Sequence, residues 1–67
     1  MAPFQERVVA EKAALDSNIE KLVLFIEGDV YDTLPDRDCE LLEAQLSCMR
    51  DYSEVLEYRI ARFAKVV

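Results

Sequence analysis

The stretch GDVYDTLP, residues 28–35, separates two long helical segments and decides the fold of this 67-residue chain. It holds the only glycine of the chain, Gly28, together with two aspartates and Pro35, a composition that favours a turn. We expect Gly28 to end one helix in the left-handed conformation and Pro35 to begin the next, with Thr33 or Leu34 in the cap region. The residues before and after the stretch should therefore form separate helices.

Large apolar residues recur at steps of three, four and seven on both sides of the turn, which is the spacing of helices with one apolar face. The first segment carries Val8, Leu15, Ile19, Leu22 and Ile26, and the second carries Leu42, Leu46, Met49, Leu56, Ile60, Phe63 and Val67. We predict a single domain, 1–67, with a helix over about 3–27, a turn over 28–34 and a helix over about 35–64. The fold class is all-α, an antiparallel two-helix hairpin with coiled-coil-like contacts.

A second apolar row on the second helix predicts self-association. Its members lie beside the first row and would face water in a lone hairpin: Leu41, Cys48, Tyr52 and Val55. A chain this short also buries only about 60% of its unfolded surface. Cys39 and Cys48 cannot bridge each other, since they lie about 13 Å apart along one helix. We therefore expect a homo-oligomer whose helical bundle core is assembled from several hairpins.

The composition argues against catalysis. The chain has no histidine and one glycine, so zinc clusters of cysteine and histidine and phosphate-binding glycine loops are absent. We predict that the protein is not an enzyme and that it uses no cofactor and no metal. Unpaired cysteines and the lack of a long apolar run lead us to expect a soluble chain in a reducing compartment, without a signal peptide or a membrane span.

Charge is separated along the predicted hairpin. Residues 27–43 hold seven carboxylates and one arginine, so the net charge of −6 lies at the turn. The basic residues meet at the other end: Arg7, Lys12, Arg59, Arg62 and Lys65. The plain interpretation is a solvated acidic surface at the turn and, at the basic end, ion pairs among Arg7, Glu11 and Arg59. A cation site or mimicry of a nucleic-acid backbone at the turn has no supporting motif.

Polar residues in the helical rows allow a second interpretation, in which they line a pocket between subunits. Arginine offers a forked donor for phosphate, tyrosine a stacking face for a base, and glutamine hydrogen bonds for a base edge. Because the chain is anionic, such a site suits a small nucleotide better than a nucleic-acid strand. The candidate ligand-binding residues are Arg7, Glu11, Lys12, Gln45, Tyr52, Tyr58, Arg59 and Arg62.

Two motifs resemble a widespread family of short tailed-phage proteins related to a crAss-like phage protein of unknown function. They are Phe-x-x-Arg-Val-x-x-Glu-Lys over Phe4–Lys12 and Tyr-x-x-x-Leu-x-x-Arg-Ile over Tyr52–Ile60. The similarity extends over nearly the whole chain. It implies a phage origin and action in the cytoplasm of the infected bacterial host.

By a weaker analogy of size and expected assembly, the chain is similar to oligomeric phage sponges that defeat signalling-based immunity, the anti-CBASS and anti-Thoeris proteins. The analogy implies a non-enzymatic protein that sequesters a cyclic-nucleotide immune signal between protomers, with no nucleic-acid strand and no membrane as partner. The alternative is an acidic helical module that docks on a host or phage protein.

Overall fold

The computed structural model describes residues 1–64, which form two long α-helices joined by a turn. Helix α1 spans Pro3–Ile26, a short 3-10 helix spans Tyr31–Thr33, and helix α2 spans Asp36–Arg62. The all-helical class is confirmed, and the helices begin and end within two residues of the expected positions. Lys65 and Val67, which the sequence places in the basic cluster and in the apolar row, lie outside the described residues.

The start of α1 follows from its first residues. Pro3 occupies the first helical turn, where its missing N–H has no intrahelical partner to lose. The backbone N–H of Ala2 donates to Oε1 of Gln5 at 2.9 Å, and the backbone N–H groups of Gln5 and Glu6 donate to the carbonyl of Ala2. Gln5 thereby supplies one half of a capping box.

The end of α1 differs from the expected left-handed stop. Gly28 has no positive φ, and its N–H donates to the carbonyl of Phe25 at 3.1 Å. Glu27 stays in the right-handed region, with φ −78° and ψ −9°. The left-handed conformation predicted for Gly28 is therefore wrong, because the chain leaves α1 through further right-handed turns into the 3-10 helix.

The turn closes through bonds to Val30. The backbone N–H and Oγ1 of Thr33 both donate to the carbonyl of Val30, at 3.0 and 2.7 Å. Leu34 is extended, as the residue before a proline prefers. The cap of α2 is Pro35, whose carbonyl accepts from Asp38 at 3.0 Å, so the expected cap at Thr33 or Leu34 is wrong.

The two helices pack antiparallel. Phe4 contacts Phe63, while Lys12 contacts Glu57, so residue numbers rise on α1 as they fall on α2. On α2 one row at steps of four and three faces α1, and its members are buried or half-buried: Leu42, Leu46, Met49, Ser53, Leu56, Ile60 and Phe63. Within residues 1–64, Val8 and Leu56 are the only buried apolar residues, and Leu56 alone is completely buried. The hairpin is thus a slender body of 50 × 15 × 14 Å with a thin core.

Neither helix within residues 1–64 combines the length and the apolar character that crossing a membrane requires.

Candidate functional site

A groove lies at the open end of the hairpin, where the start of α1 meets the end of α2. It has a volume of about 220 Å³ and is lined by Phe4, Gln5, Arg59, Arg62 and Phe63. The antiparallel packing brings these two chain segments together from opposite ends of the sequence. The lining is mainly apolar, with two guanidinium groups and one amide as its polar part.

The aromatic part of the groove is a pair of rings. Phe4 and Phe63 meet edge to face, with centroids 5.9 Å apart and ring planes at 79°. This geometry is favourable for aromatic pairs and closes the end of the thin core. Phe4 is nevertheless 50% exposed, so part of the aromatic pair remains accessible to a ligand.

The basic part of the groove comes from the last turn of α2, where Arg59 and Arg62 are both exposed. Cations there complement the helix dipole. Among residues 1–64 neither arginine forms an ion pair, and the expected ion pairs among Arg7, Glu11 and Arg59 are absent. The groove therefore presents two guanidinium groups and no carboxylate from the described part of the chain.

Lys12, a predicted ligand residue, is already engaged between the helices. Its Nζ lies 2.7 Å from Oδ2 of Asp16 and 3.3 Å from Oε2 of Glu57. The hydrogen bond to Asp16 is the main cause that raises the pKa of Lys12, with a smaller contribution from Glu57. Lys12 does not line the groove.

A buried hydroxyl completes this interhelical cluster. Ser53 is buried, and its Oγ donates to Oδ1 of Asp16 at 2.5 Å. The hydrogen bond from Lys12, followed by that from Ser53, lowers the pKa of Asp16. Sequence reasoning missed this cluster, although Lys12 and Ser53 both occupy core positions of the apolar rows.

The remaining predicted residues on α1, Arg7 and Glu11, are exposed and do not line the groove. On α2, Gln45 and Tyr52 are exposed and lie fourteen and seven residues, respectively, from the groove residue Arg59, on the same face of the helix. They can join the site only across a subunit boundary.

Tyr58 is also exposed, and its hydroxyl donates to Oε1 of Glu54 at 2.9 Å. This bond raises the pKa of Tyr58. Of the eight predicted residues, the described structure places Arg59 and Arg62 in the groove. It adds three that the sequence did not suggest, Phe4, Gln5 and Phe63.

The acidic turn offers no comparable constellation. Among residues 1–64, no three acidic or cysteine side chains come together in a way that could hold a metal ion. Arg37 pairs with Glu40 at 3.2 Å, and both side chains are largely exposed. Behind the turn, burial raises the pKa of Tyr31 to about 12, with Cys39 and Glu43 contributing.

Comparison with known proteins identifies relatives of the whole chain. No solved structure matches it. An uncharacterised 7.5 kDa protein from the denB–rIIB intergenic region of enterobacteria phage T4 is 38% identical over 63 residues, which cover 94% of this chain and 98% of the relative. This relative supports the expected kinship with small phage proteins, while the link to crAss-like phages stays a prediction.

A family model describes almost the same span. The model named Sequestin matches residues 2–62, which include both helices and the groove residues Arg59 and Arg62. This chain belongs to the Sequestin family.

Proposed function

We propose that the protein is a non-enzymatic phage sponge that binds and sequesters a cyclic-nucleotide immune signal, with the phosphate held at Arg59 and Arg62. The observation that carries the proposal is the presence of two guanidinium groups and a half-exposed phenylalanine, Phe4, in one groove. Cyclic nucleotides offer the complementary pair, a negatively charged phosphate beside a flat base.

The electrostatics of the groove favour an anion even though the chain is acidic. Seven carboxylates are concentrated in residues 27–43, at the far end of the hairpin. Arg59 and Arg62 lie about 30 Å or more from the start of α2, given a rise of 1.5 Å per residue. Within one chain, a separation of several Debye lengths at physiological salt screens the groove from these carboxylates.

The size of the groove indicates a shared site. A ligand pocket for a small molecule commonly has a volume of about 300 to 1,000 Å³. The groove of one chain holds about 220 Å³ and is open to solvent. Gln45, which lies on the same face of α2 as Arg59, is the residue that another copy would add for a base edge.

The family name supports a sequestering role, since Sequestin suggests a protein that holds another molecule back. The groove is consistent with binding without turnover. Its lining contains no carboxylate, thiol or hydroxyl from the described residues that could serve as base or nucleophile.

Titration calorimetry tests the proposal most directly. The purified chain is titrated with cyclic dinucleotides, cyclic trinucleotides and cyclic ADP-ribose isomers, and recovered ligand is checked by chromatography. We expect one class to bind with a dissociation constant in the micromolar range or below and to be recovered intact. Absence of heat with every member contradicts the proposal, and conversion of the bound ligand contradicts the non-enzymatic role.

Substitutions at Arg59 test the site itself. Arg59→Ala should weaken binding about ten- to a hundredfold, and Arg59→Lys should restore only part of the loss because a point charge lacks the bidentate fork. Arg50→Ala is the matched control, since Arg50 is exposed on α2 and does not line the groove. Helix content and mass are measured on the same samples. Equal affinity in all three variants removes Arg59 from the site.

The same purified protein can be used to test the alternative, an acidic module that docks on a host or phage protein. A sponge needs no protein partner, so pull-down from infected bacterial lysate should retain none in stoichiometric amount. Stoichiometric capture of one protein, together with no heat from any nucleotide, favours the docking module.

A further inference from the structure

Helix α2 carries a second heptad row that α1 does not cover. Its members follow one another at steps of three and four, and all of them are exposed in the hairpin. We call this row the open seam: Asp38, Leu41, Gln45, Cys48, Tyr52, Val55, Arg59 and Arg62. Steps of three and four are those of the contact row of a coiled coil, so the open seam has the geometry of a helix-packing surface.

The large apolar residues of the open seam are about half uncovered. Leu41, Tyr52 and Val55 are 49%, 45% and 54% exposed. Isolated exposed apolar residues are ordinary on protein surfaces, but a contiguous row of them on one helix face marks an interaction site. The adjacent row on the same helix, which packs on α1, repeats at the same steps, so α2 is built to contact two neighbours.

The chain exposes more surface than a compact monomer of its mass. The accessible surface is 5092 Å². A monomeric protein of 7.7 kDa is expected to expose about 4,300 Å². The slender shape of the hairpin accounts for part of this excess of about 790 Å², which is of the size that each partner covers in a protein interface of standard size, roughly 800 Å².

The charges at the two ends of the open seam fix the orientation of the partner. Asp38 stands at one end, and Arg59 and Arg62 stand at the other. Two parallel copies would place Asp38 against Asp38 and each arginine against itself. Two antiparallel copies, with the two-fold axis between Cys48 and Tyr52, place Asp38 of each copy opposite Arg62 of the other.

We infer that a second copy of this chain docks antiparallel on the open seam, forming a two-fold dimer through α2. In this register Arg59 lies opposite the apolar Leu41 of the second copy and stays available to the proposed ligand, whereas Arg62 faces Asp38, so a phosphate would compete with Asp38 for Arg62. The pairing does not depend on the proposed ligand, because the mass of the protein is measured without nucleotide. Burial of the apolar residues stabilises the dimer, and the two Asp38–Arg62 ion pairs determine the antiparallel orientation of the two copies.

Sedimentation equilibrium at micromolar concentration tests the pairing, with circular dichroism to verify helix content. The expected mass is twice 7.7 kDa. Val55→Asp should shift the mass to that of one chain, whereas Val30→Asp should not, since Val30 is similarly exposed, at 58%, but lies in the turn. A single-chain mass for the unaltered protein, a mass of three or more chains, or an unchanged mass for Val55→Asp overturns the proposal.

A charge exchange tests the orientation. Asp38→Arg and Arg62→Asp should each weaken association at least tenfold, and the double variant should recover most of the loss while keeping the helix content of the parent. Because these masses are measured without ligand, a failure here leaves the calorimetric result on the groove untouched. Failure of the double variant to recover, with its helices intact, overturns the antiparallel register.

Discussion

Ser53 on α2 donates a 2.5 Å hydrogen bond from Oγ to Oδ1 of Asp16 on α1, which joins the two helices near the middle of the hairpin. The same carboxylate accepts from Lys12, which also reaches Glu57 on α2. Because the apolar core is thin, such polar contacts determine the register of α1 against α2. Apolar rows alone would allow the two helices to slide past each other by a heptad. The cluster therefore fixes which turn of α1 meets which turn of α2.

Ser53→Ala should lower the free energy of unfolding by about 0.5 to 1.5 kcal/mol relative to its control, the net worth of one hydrogen bond. Asp16 keeps Lys12 and remains partly exposed, so no buried group loses all its partners. Ser47→Ala is the control, since Ser47 is exposed on the same helix and gains the same helix propensity. The measurement is urea unfolding at fixed protein concentration. Equal stability of the two variants contradicts a structural role for the bond.

The hairpin followed from the sequence because its determinants are local. Apolar residues at steps of three and four, a turn composition at 28–34 and Pro35 are sufficient to predict two helices and their connection. The conformation of Gly28 was not predictable in the same way. A glycine permits the left-handed region without requiring it, and the path into the 3-10 helix decided the outcome.

The site was predicted in part, and the misses have a geometric cause. Arg59 and Glu11 lie at nearly the same level of the hairpin, as the neighbouring pair Asp16 and Ser53 shows, so their pairing was a reasonable expectation. The residue that faces α2 at that level is Lys12, which is rotated about 100° from Glu11 around the helix. The length of the turn determines which residues of α1 and α2 lie at the same height along the hairpin. Which face of each helix points toward the other helix depends on side-chain packing. Phe4 and Phe63 were missed as groove residues for the same reason.

The stability of the hairpin should fall in acid through Asp16. The hydrogen bonds from Lys12 and Ser53 lower the pKa of Asp16 below its ordinary value of 3.8. A carboxyl whose pKa is lowered by folding stabilises the folded chain at any pH above its pKa in the unfolded chain. This stabilisation is lost as the pH falls through its pKa in the folded chain. Asp16→Asn should therefore flatten the decline of unfolding free energy below about pH 4.

Asp51→Asn is the control for this acid dependence, because Asp51 is exposed on α2 and forms no ion pair within the described residues. Urea unfolding between neutral and acid pH, with carboxyl chemical shifts by NMR, measures both effects. A decline in Asp16→Asn as steep as in the parent would show that other carboxylates dominate. At alkaline pH the sign reverses for Lys12, whose raised pKa contributes stability that is lost as the pH rises through it.

Leu56→Ala should be the most damaging of the apolar truncations on α2. Leu56 is completely buried, and removing a buried leucine side chain costs about 2 to 5 kcal/mol. A 67-residue chain with so thin a core has little stability to spare, so we expect substantial loss of helix at 25 °C. The control is Leu24→Ala, with 64% of Leu24 exposed, and its change should stay within about 0.5 kcal/mol. Similar melting of both variants would contradict the packing described for α2.

Replacing Gly28 tests the right-handed end of α1. Because φ is negative there, Gly28→Ala should raise the free energy of unfolding by about 0.4 to 1 kcal/mol through a less flexible unfolded chain. An added Cβ would lie 3.4 Å from the carbonyl oxygens of Leu24 and Phe25, an ordinary contact. Gly28→Asn is the discriminating partner, since asparagine is favoured over alanine only at positive φ. If the asparagine variant is more stable than the alanine variant in urea unfolding, residue 28 has the left-handed conformation and the right-handed end of α1 is contradicted.

Tyr31 should ionise later than an ordinary tyrosine. Burial raises its pKa from 10.0 to about 12, with Cys39 and Glu43 adding to the shift. Because the folded chain favours the neutral phenol, the stability it contributes is present below pH 10 and is lost as the pH rises from about 10 to 12. The phenolate absorbance is measured against pH for the parent and for Tyr31→Phe, and the difference between the two curves reports the ionisation of Tyr31. Only pH values at which circular dichroism shows intact helices are used. Glu43→Gln should move the difference curve to lower pH, whereas Glu54→Gln should move Tyr58 and leave Tyr31 in place. A difference curve centred near pH 10 in folded samples would contradict the packing of Tyr31 behind the turn.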